Sequence, residues 1–280
     1  MKTKYLCTYW GCEHQTAVAF LSHVVANGYD GVEINFPEDE HFVREFMDEI
    51  ARIRKTVNPD FIFVAQQVLS NKKETVDQYM ERISKRLEFL TTLQPNYINS
   101  HTGKDYYDFS DNCKIIEITE QISRNSGIPI WHEIHRGRFS FHLKTLLTYL
   151  ELFPKLKLIA DLSHFCVVSE SNLEDQKDLL SKIYPHIKHI HARVGFAQSP
   201  QVNHPFAPEW KTQLERYLGW WNEIIEVQKK KNSAQITITP EFGPFPYLPE
   251  EPFTKKPLSN PWEINLQMKN YLQQNLFNHE

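Results

Sequence analysis

Eight short apolar runs, each followed by a longer segment of helical period, pattern this chain from end to end. The runs cover 5–10, 31–36, 61–68, 97–101, 128–138, 156–161, 187–193 and 235–241. They are rich in β-branched and aromatic residues, as strands are. Helical periodicity follows at 16–27, 38–56, 72–93, 109–125, 141–153, 173–183 and 209–231, with a last helix at 262–276. Pro95 stops the third helix, and Ser126-Gly127 closes the fourth. Two connections are long. The stretch 194–208, rich in Gln, Pro and His, is expected to be a lid, and the proline-rich 243–261 leads to the last helix. Strand–helix alternation predicts parallel strands joined by right-handed crossovers. Eight units close a (β/α)8 TIM barrel, one domain over 1–280. An open doubly wound sheet is the structural alternative.

Composition narrows the function only a little. The net charge of −4 provides no basic surface for nucleic acid, so no nucleic-acid partner is expected. No apolar run approaches a membrane span, and the first residues lack the apolar core of a signal peptide. Cys7, Cys12, Cys113 and Cys166 form no CxxC pair and read as reduced thiols, so a cytoplasmic location is expected. Most of the 13 histidines fall between His101 and His204, a hint of metal chemistry.

In a barrel of this kind the catalytic groups sit at the C-terminal ends of the strands. Strand four ends at His101, and strand five, within IPIWHEIHRGR, carries Glu133. Strand six ends in Asp161-Leu-Ser-His164, strand seven carries His189 and His191, and strand eight ends at Glu241. Side-chain alternation puts Thr237, Thr239 and Glu241 on one face and Ile236 and Ile238 on the other. The polar face is expected toward the barrel axis and the apolar face toward the helices. Carboxylates and an imidazole converging there would repel one another without a cation. A hard O,O,O,N donor set suits Mn²⁺, Mg²⁺ or Co²⁺, and also Zn²⁺. Lys104, Arg136, Arg138 and Arg193 fall at the same mouth and suit a phosphate or carboxylate on the substrate. Trp10, ending strand one, could stack on a sugar. Each residue also has a bland reading. Glu133 could pair with Arg136 or Arg138, Asp161 could cap a helix, and Glu33 could merely orient a neighbour.

The pieces GYDGVEINF, NSHTG, HEIHRGR, DLSHF, HIHARVG and PEFGP, in this order at successive strand ends, resemble the xylose-isomerase-like barrels. That superfamily contains sugar isomerases and epimerases such as tagatose 3-epimerase, with apurinic endonuclease IV as a distant relative. The resemblance spans the chain. It implies metal ligands Glu133, Asp161, His191 and Glu241, with His189 as the alternative to His191. It implies substrate contacts from His164 and His101. The reaction it implies is proton transfer next to a carbonyl through a metal-stabilised enediolate, with Glu133 and Glu241 as acid and base. The expected partner is a small carbohydrate, and relatives supply the expectation of a homo-oligomer. A dehydratase or lyase, an endonuclease-like phosphodiesterase and a barrel without turnover are the rivals. The nuclease reading requires an Asp-x-His pair after strand seven, where this chain has Asn203-His204.

Overall fold

A computed structural model of the chain describes residues 1–276. Eight parallel strands close into a barrel in chain order, with the last pairing the first. They are β1 (Lys2–Thr8), β2 (Gly31–Ile34), β3 (Ile62–Gln67), β4 (Tyr97–Ser100), β5 (Ile130–Glu133), β6 (Leu158–Ala160), β7 (Ile187–His191) and β8 (Gln235–Thr239). The helices are α1 (Ala17–Ala26), α2 (Glu40–Thr56), α3 (Val76–Thr92), α4 (Phe109–Ser126), α5 (Leu143–Leu152), α6 (Ser163–Val168), α7 (Lys177–Ile183), α8 (Lys211–Lys230) and α9 (Pro261–Asn275). The architecture is a (β/α)8 TIM barrel, and no open sheet edge remains. None of the described helices is long and apolar enough to cross a membrane.

Local chemistry explains most boundaries. In α2, Phe42, Phe46, Ile50 and Ile53 recur at helical spacing and form the buried stripe. Thr75 and Gln78 build a reciprocal capping box at the start of α3. Gly127, at φ 73°, closes α4 as expected from Ser126-Gly127.

Three expectations are corrected. The run 128–138 is strand only from Ile130 to Glu133, because Gly137 at φ 74° and the bond from Arg138 N–H to His135 O turn the chain back. The helix expected at 173–183 begins at Lys177, since Leu173 sits at φ 59°, outside the helical region. The stretch 194–208 is no lid. Val202 N–H bonds Val194 O at 2.9 Å, and Trp210 Nε1 donates to Asn203 Oδ1 at 2.7 Å. The six-residue α6 was not anticipated; it is too short to show a period.

The apolar core has two parts. Between barrel and helices lie residues such as Phe20, Phe46, Ile83, Ile116, Leu146 and Trp221, all buried. Inside the barrel, Leu6, Ile62, Val64, Tyr97 and Ile159 form a second cluster with Trp131 against it. The axis is therefore not polar throughout. Its N-terminal half is a dry floor, sealed by Trp131 stacked on Tyr97 at 3.9 Å. Polar side chains collect only above that floor.

Candidate metal and substrate site

The polar layer grows directly out of the floor. The Tyr97 hydroxyl reaches Thr237 Oγ1 at 2.8 Å and His189 Nδ1 at 3.1 Å. His189 Nε2 in turn lies 3.2 Å from Glu33 Oε2. Glu33, fully buried on β2, is the hub of this layer. It accepts from Thr239 Oγ1 at 2.6 Å, Asn99 Nδ2 at 2.9 Å and Gln66 Nε2 at 3.1 Å. His191 Nε2 faces both its oxygens at 3.1 Å. With Glu33 accepting, His191 carries a proton on Nε2, so Nδ1 is the nitrogen whose lone pair the neutral ring can offer to an ion.

That lone pair points into a cluster of carboxylates. His191 Nδ1 lies 2.9 Å from Glu241 Oε2 and 3.6 Å from Glu133 Oε1, and it is buried with no hydrogen-bond partner. One donor atom each from Glu133, Asp161, His191 and Glu241 falls within 4.8 Å of the others. His189 lacks this freedom: Thr237, Tyr97, Glu33 and Thr239 engage both its nitrogens. The geometry thus favours His191 over His189 as a donor to an ion. Two other groups, Glu33–His189–His191 and His101–Glu133–His135, also bring metal-binding atoms together. Protein hydrogen bonds already occupy the first.

Amide side chains hold the carboxylates in place. Asn99 donates to both Glu33 and Glu133, the latter at 2.6 Å, while Gln66 donates to both Glu33 and Glu241, the latter at 3.3 Å. Glu241 lies beyond the end of β8, and its position depends on its neighbours. The Asn265 amide bonds both backbone groups of Phe242, and the Gln201 amide bonds both of Gly243. Asp161 has a double role. Its Oδ1 accepts from Ser163 N–H at the start of α6, while its Oδ2 pairs with Arg193.

The electrostatics follow from burial and from neighbouring charges. Burial opposes ionisation of Glu133, but His101, 3.0 Å away, and His191 hold its carboxyl well below the usual range. Burial is likewise overcome at Glu33 by His191 and His189. At Asp161 burial wins over Arg193 and His191, and the carboxyl is pushed up. Burial disfavours a charged His191, but Glu241, Glu33 and Glu133 together raise its pKa well above normal. Glu33, Glu133, Asp161 and Glu241 thus share one buried guanidinium, Arg193, and the imidazoles of His101, His189 and His191. The converging carboxylates, the His191 Nδ1 turned toward them and the O,O,O,N donor set fit a hard divalent ion.

Above the cluster opens a cavity of about 880 Å³. Its walls include Trp10, Asn35, Gln66, His101, Glu133, His135, Arg138, Arg193, Glu241 and Tyr247. No residue of 194–208 reaches it. Tyr247 spans the mouth, with its ring 5.0 Å from Trp10 and 4.7 Å from the Arg193 guanidinium. The rings of His101, His135 and His164 lie in a row, tilted against one another, at 4.4 and 3.9 Å between centroids. Burial pushes His135 and His164 well below the usual imidazole pKa, so both are neutral. His164 Nε2 accepts from Arg193 at 2.9 Å, below the cavity wall. His132 faces outward, 3.4 Å from Glu120 on α4.

The four basic residues expected at the mouth separate. Arg193 is engaged by Asp161, His164 and Glu241. Arg136 lies over the Tyr247 ring at 5.1 Å and does not line the cavity. Lys104 is also outside the lining. The turn at Gly103, φ 66°, carries it away, and its ammonium donates to Asn71 Oδ1 at 2.8 Å. Only Arg138 faces the cavity without an acidic partner.

Gln66, Asn99 and Tyr247 were not singled out by sequence. Parity along FIFVAQQV carried a signal for Gln66, which follows the inward-facing Ile62 and Val64 at two-residue spacing. Tyr247 lies in a loop whose path only the fold reveals.

No family model matches the sequence, and no curated protein matches it. Solved structures share its fold. The probable 3-DHS dehydratase AsbF, involved in petrobactin synthesis in Bacillus anthracis, is 15% identical; the match covers 97% of this chain and 99% of that one, at a TM-score of 0.64. The IolI protein with a binding zinc atom is also 15% identical, covering 98% and 99%, with a TM-score of 0.65. The 3-keto-D-glucoside 4-epimerase YcjR from E. coli is 13% identical, covering 98% and 100%, with a TM-score of 0.58. A xylose isomerase-like TIM barrel protein from Mycobacterium smegmatis, 11% identical, shares the fold at a TM-score of 0.63, covering 99% of this chain and 98% of that one.

Proposed function

We propose that this protein is a divalent-metal-dependent isomerase or epimerase acting on a sugar or a related polyhydroxy carbonyl compound. One observation carries the reading. Glu133, Asp161, His191 and Glu241, from four separate strand ends, bring donor atoms within 4.8 Å, and the imidazole among them has a bare buried nitrogen. These four residues would hold Mn²⁺, Mg²⁺, Co²⁺ or Zn²⁺. When bound, the ion would supply Lewis-acid polarisation of a substrate carbonyl.

The chain's own groups supply the rest. Glu133 is kept ionised by His101 and His191, so it can accept a proton rather than donate one. Its Oε2 is fixed by Asn99 and His101, which sets the rotamer from which it acts. Glu241 is fixed by Gln66 and by the clamped backbone beside it. Removal of a proton from the carbon next to the carbonyl by one carboxylate and return by the other inverts that centre. Return to the neighbouring carbon interconverts aldose and ketose. Trp10 and Tyr247 offer flat apolar walls of the kind that sugar C–H faces pack against. The likeness to a keto-glucoside epimerase and to a probable dehydratase supports carbohydrate-like chemistry and makes loss of water the competing outcome.

The test is solvent exchange. Metal-loaded protein in D₂O, offered ketoses, sugar acids and inosose-type polyols, should place deuterium next to the carbonyl and give a product isomeric with its substrate. Glu133→Gln and Glu241→Gln should bind metal yet lose exchange. A fully loaded double variant as active as wild type would remove the acid–base assignment, and a dehydrated product would replace isomerisation with elimination.

A further inference from the structure

We infer that Arg138 is the anchor for a carboxylate on the substrate, which makes the substrate a sugar acid or keto acid rather than a neutral sugar. The inference deepens the functional reading and rests on the cavity being the substrate pocket. Arg138 lines that cavity with His101, Glu133 and His135, yet only 9% of its surface is exposed. It forms no ion pair among the described residues. Its Nη1 donates to the carbonyl of its own neighbour Gly137 at 3.1 Å, while Nε is buried with no partner. Nη2 makes no hydrogen bond to the described residues. Nε and Nη2 therefore lack acceptors, and together they form the pair of parallel donors that grips a planar carboxylate through two bonds.

A buried, unpaired guanidinium is costly, and this one has a further burden. Lys104, itself 4% exposed and outside ion-pair distance of any acid among the described residues, has its affinity for a proton lowered by burial and then by the charge of Arg138, against the smaller opposing pull of Glu74 and Asp105. Two near-buried cations that repel each other, neither in an ion pair among the described residues, call for an anion. Lys104 is turned to Asn71 and the Tyr79 ring, so the contact falls to Arg138 and Lys104 adds only its field. A carboxylate suits the place better than a phosphate ester. The remaining lining carries Glu13, Asp39, Glu45, Glu133 and Glu241, and a dianion beside so many carboxylates would need more than one free guanidinium.

The experiment is calorimetric binding to the Mn²⁺-loaded protein and to the metal-free protein. The ligands are sugar acids, each matched with its neutral sugar and its phosphate ester. We expect an acid to bind roughly 10- to 100-fold tighter than its matched neutral sugar and its phosphate ester, the range for a lost charge-assisted contact. Arg138→Gln should erase that preference without changing Mn²⁺ affinity, and Arg138→Lys should restore part of it, which separates lost charge from misfolding. Acids that bind no tighter than neutral sugars, or a preference for phosphate esters, would overturn the inference. So would an acid preference that survives in Arg138→Gln. Mn²⁺ titration of the same samples keeps the two readings apart. Intact metal binding with no acid preference removes the subsite alone, and absent metal binding removes the metal-dependent reading.

Discussion

Replacing Glu33 with Gln removes one charge while keeping the side chain's shape, at a position that does not line the cavity. In the wild type, Glu33 fixes the His191 tautomer: both its oxygens face Nε2 at 3.1 Å, and Nδ1 is left bare among Glu133 and Glu241. A glutamine at 33 has one acceptor oxygen for the donors of His191, His189, Thr239, Gln66 and Asn99. Its own amide N–H groups would face at least one of those donors. His191 would then be free to move its proton to Nδ1 and lose its lone pair toward the ion. A hydrogen bond to a charged partner is worth about 1.5–3 kcal/mol. Outer partners of metal-bound histidines typically account for about 10- to 100-fold in metal affinity, a matching figure. Titration calorimetry with Mn²⁺ on wild type and Glu33→Gln, with circular dichroism confirming the fold, reads the effect directly. An Mn²⁺ affinity within twofold of wild type would refute the argument that Glu33 sets the imidazole.

Two further outcomes are expected. A methyl group at Gly243 would lie 2.2 Å from the Trp10 ring, so Gly243→Ala should cost about 1–3 kcal/mol in urea denaturation and weaken ligand binding by displacing the indole; unchanged stability would show that Trp10 does not rest there. Burial holds His164 neutral with a pKa well below 6.5, so the unfolded chain binds its proton more readily than the folded one. Stability should therefore fall as pH drops below about 6.5 toward the lowered folded value, and less so in His164→Gln; parallel urea curves for the two proteins at pH 7.5 and 5.5 would contradict the burial argument.

The barrel was legible because each strand is short, β-rich and bounded by a helix of clear period, and because eight such units admit closure. The strand ends could be read in the same way. Parity along QITIT put Thr237 and Thr239 on the axis side with Glu241 just beyond, and IWHE put Glu133 inside and His132 outside, where it meets Glu120. Parity says nothing about height along the axis. Trp131 shares a face with Glu133, yet it closes the dry floor while Glu133 joins the donors. Nor does parity follow the chain past a strand, and there the expectations diverged. Arg136, Arg138, Lys104 and Arg193 all looked alike as cations near the mouth. A turn at Gly103 and another at Gly137 decided which reached the cavity, and the proximity of Asp161 and Glu241 decided which was already paired. The hub role of Glu33 depends on β2, β3, β4, β7 and β8 meeting, a convergence that only closure of the barrel produces.

The central claim is that Glu133, Asp161, His191 and Glu241 hold one divalent ion. Anomalous diffraction from crystals grown with Mn²⁺ locates it without reference to turnover. The account predicts one strong peak per chain bonded to Nδ1 of His191 and to the three carboxylates, lost in Asp161→Asn. A peak at Glu33 and His189 instead, or no peak at all at saturating Mn²⁺, would contradict it.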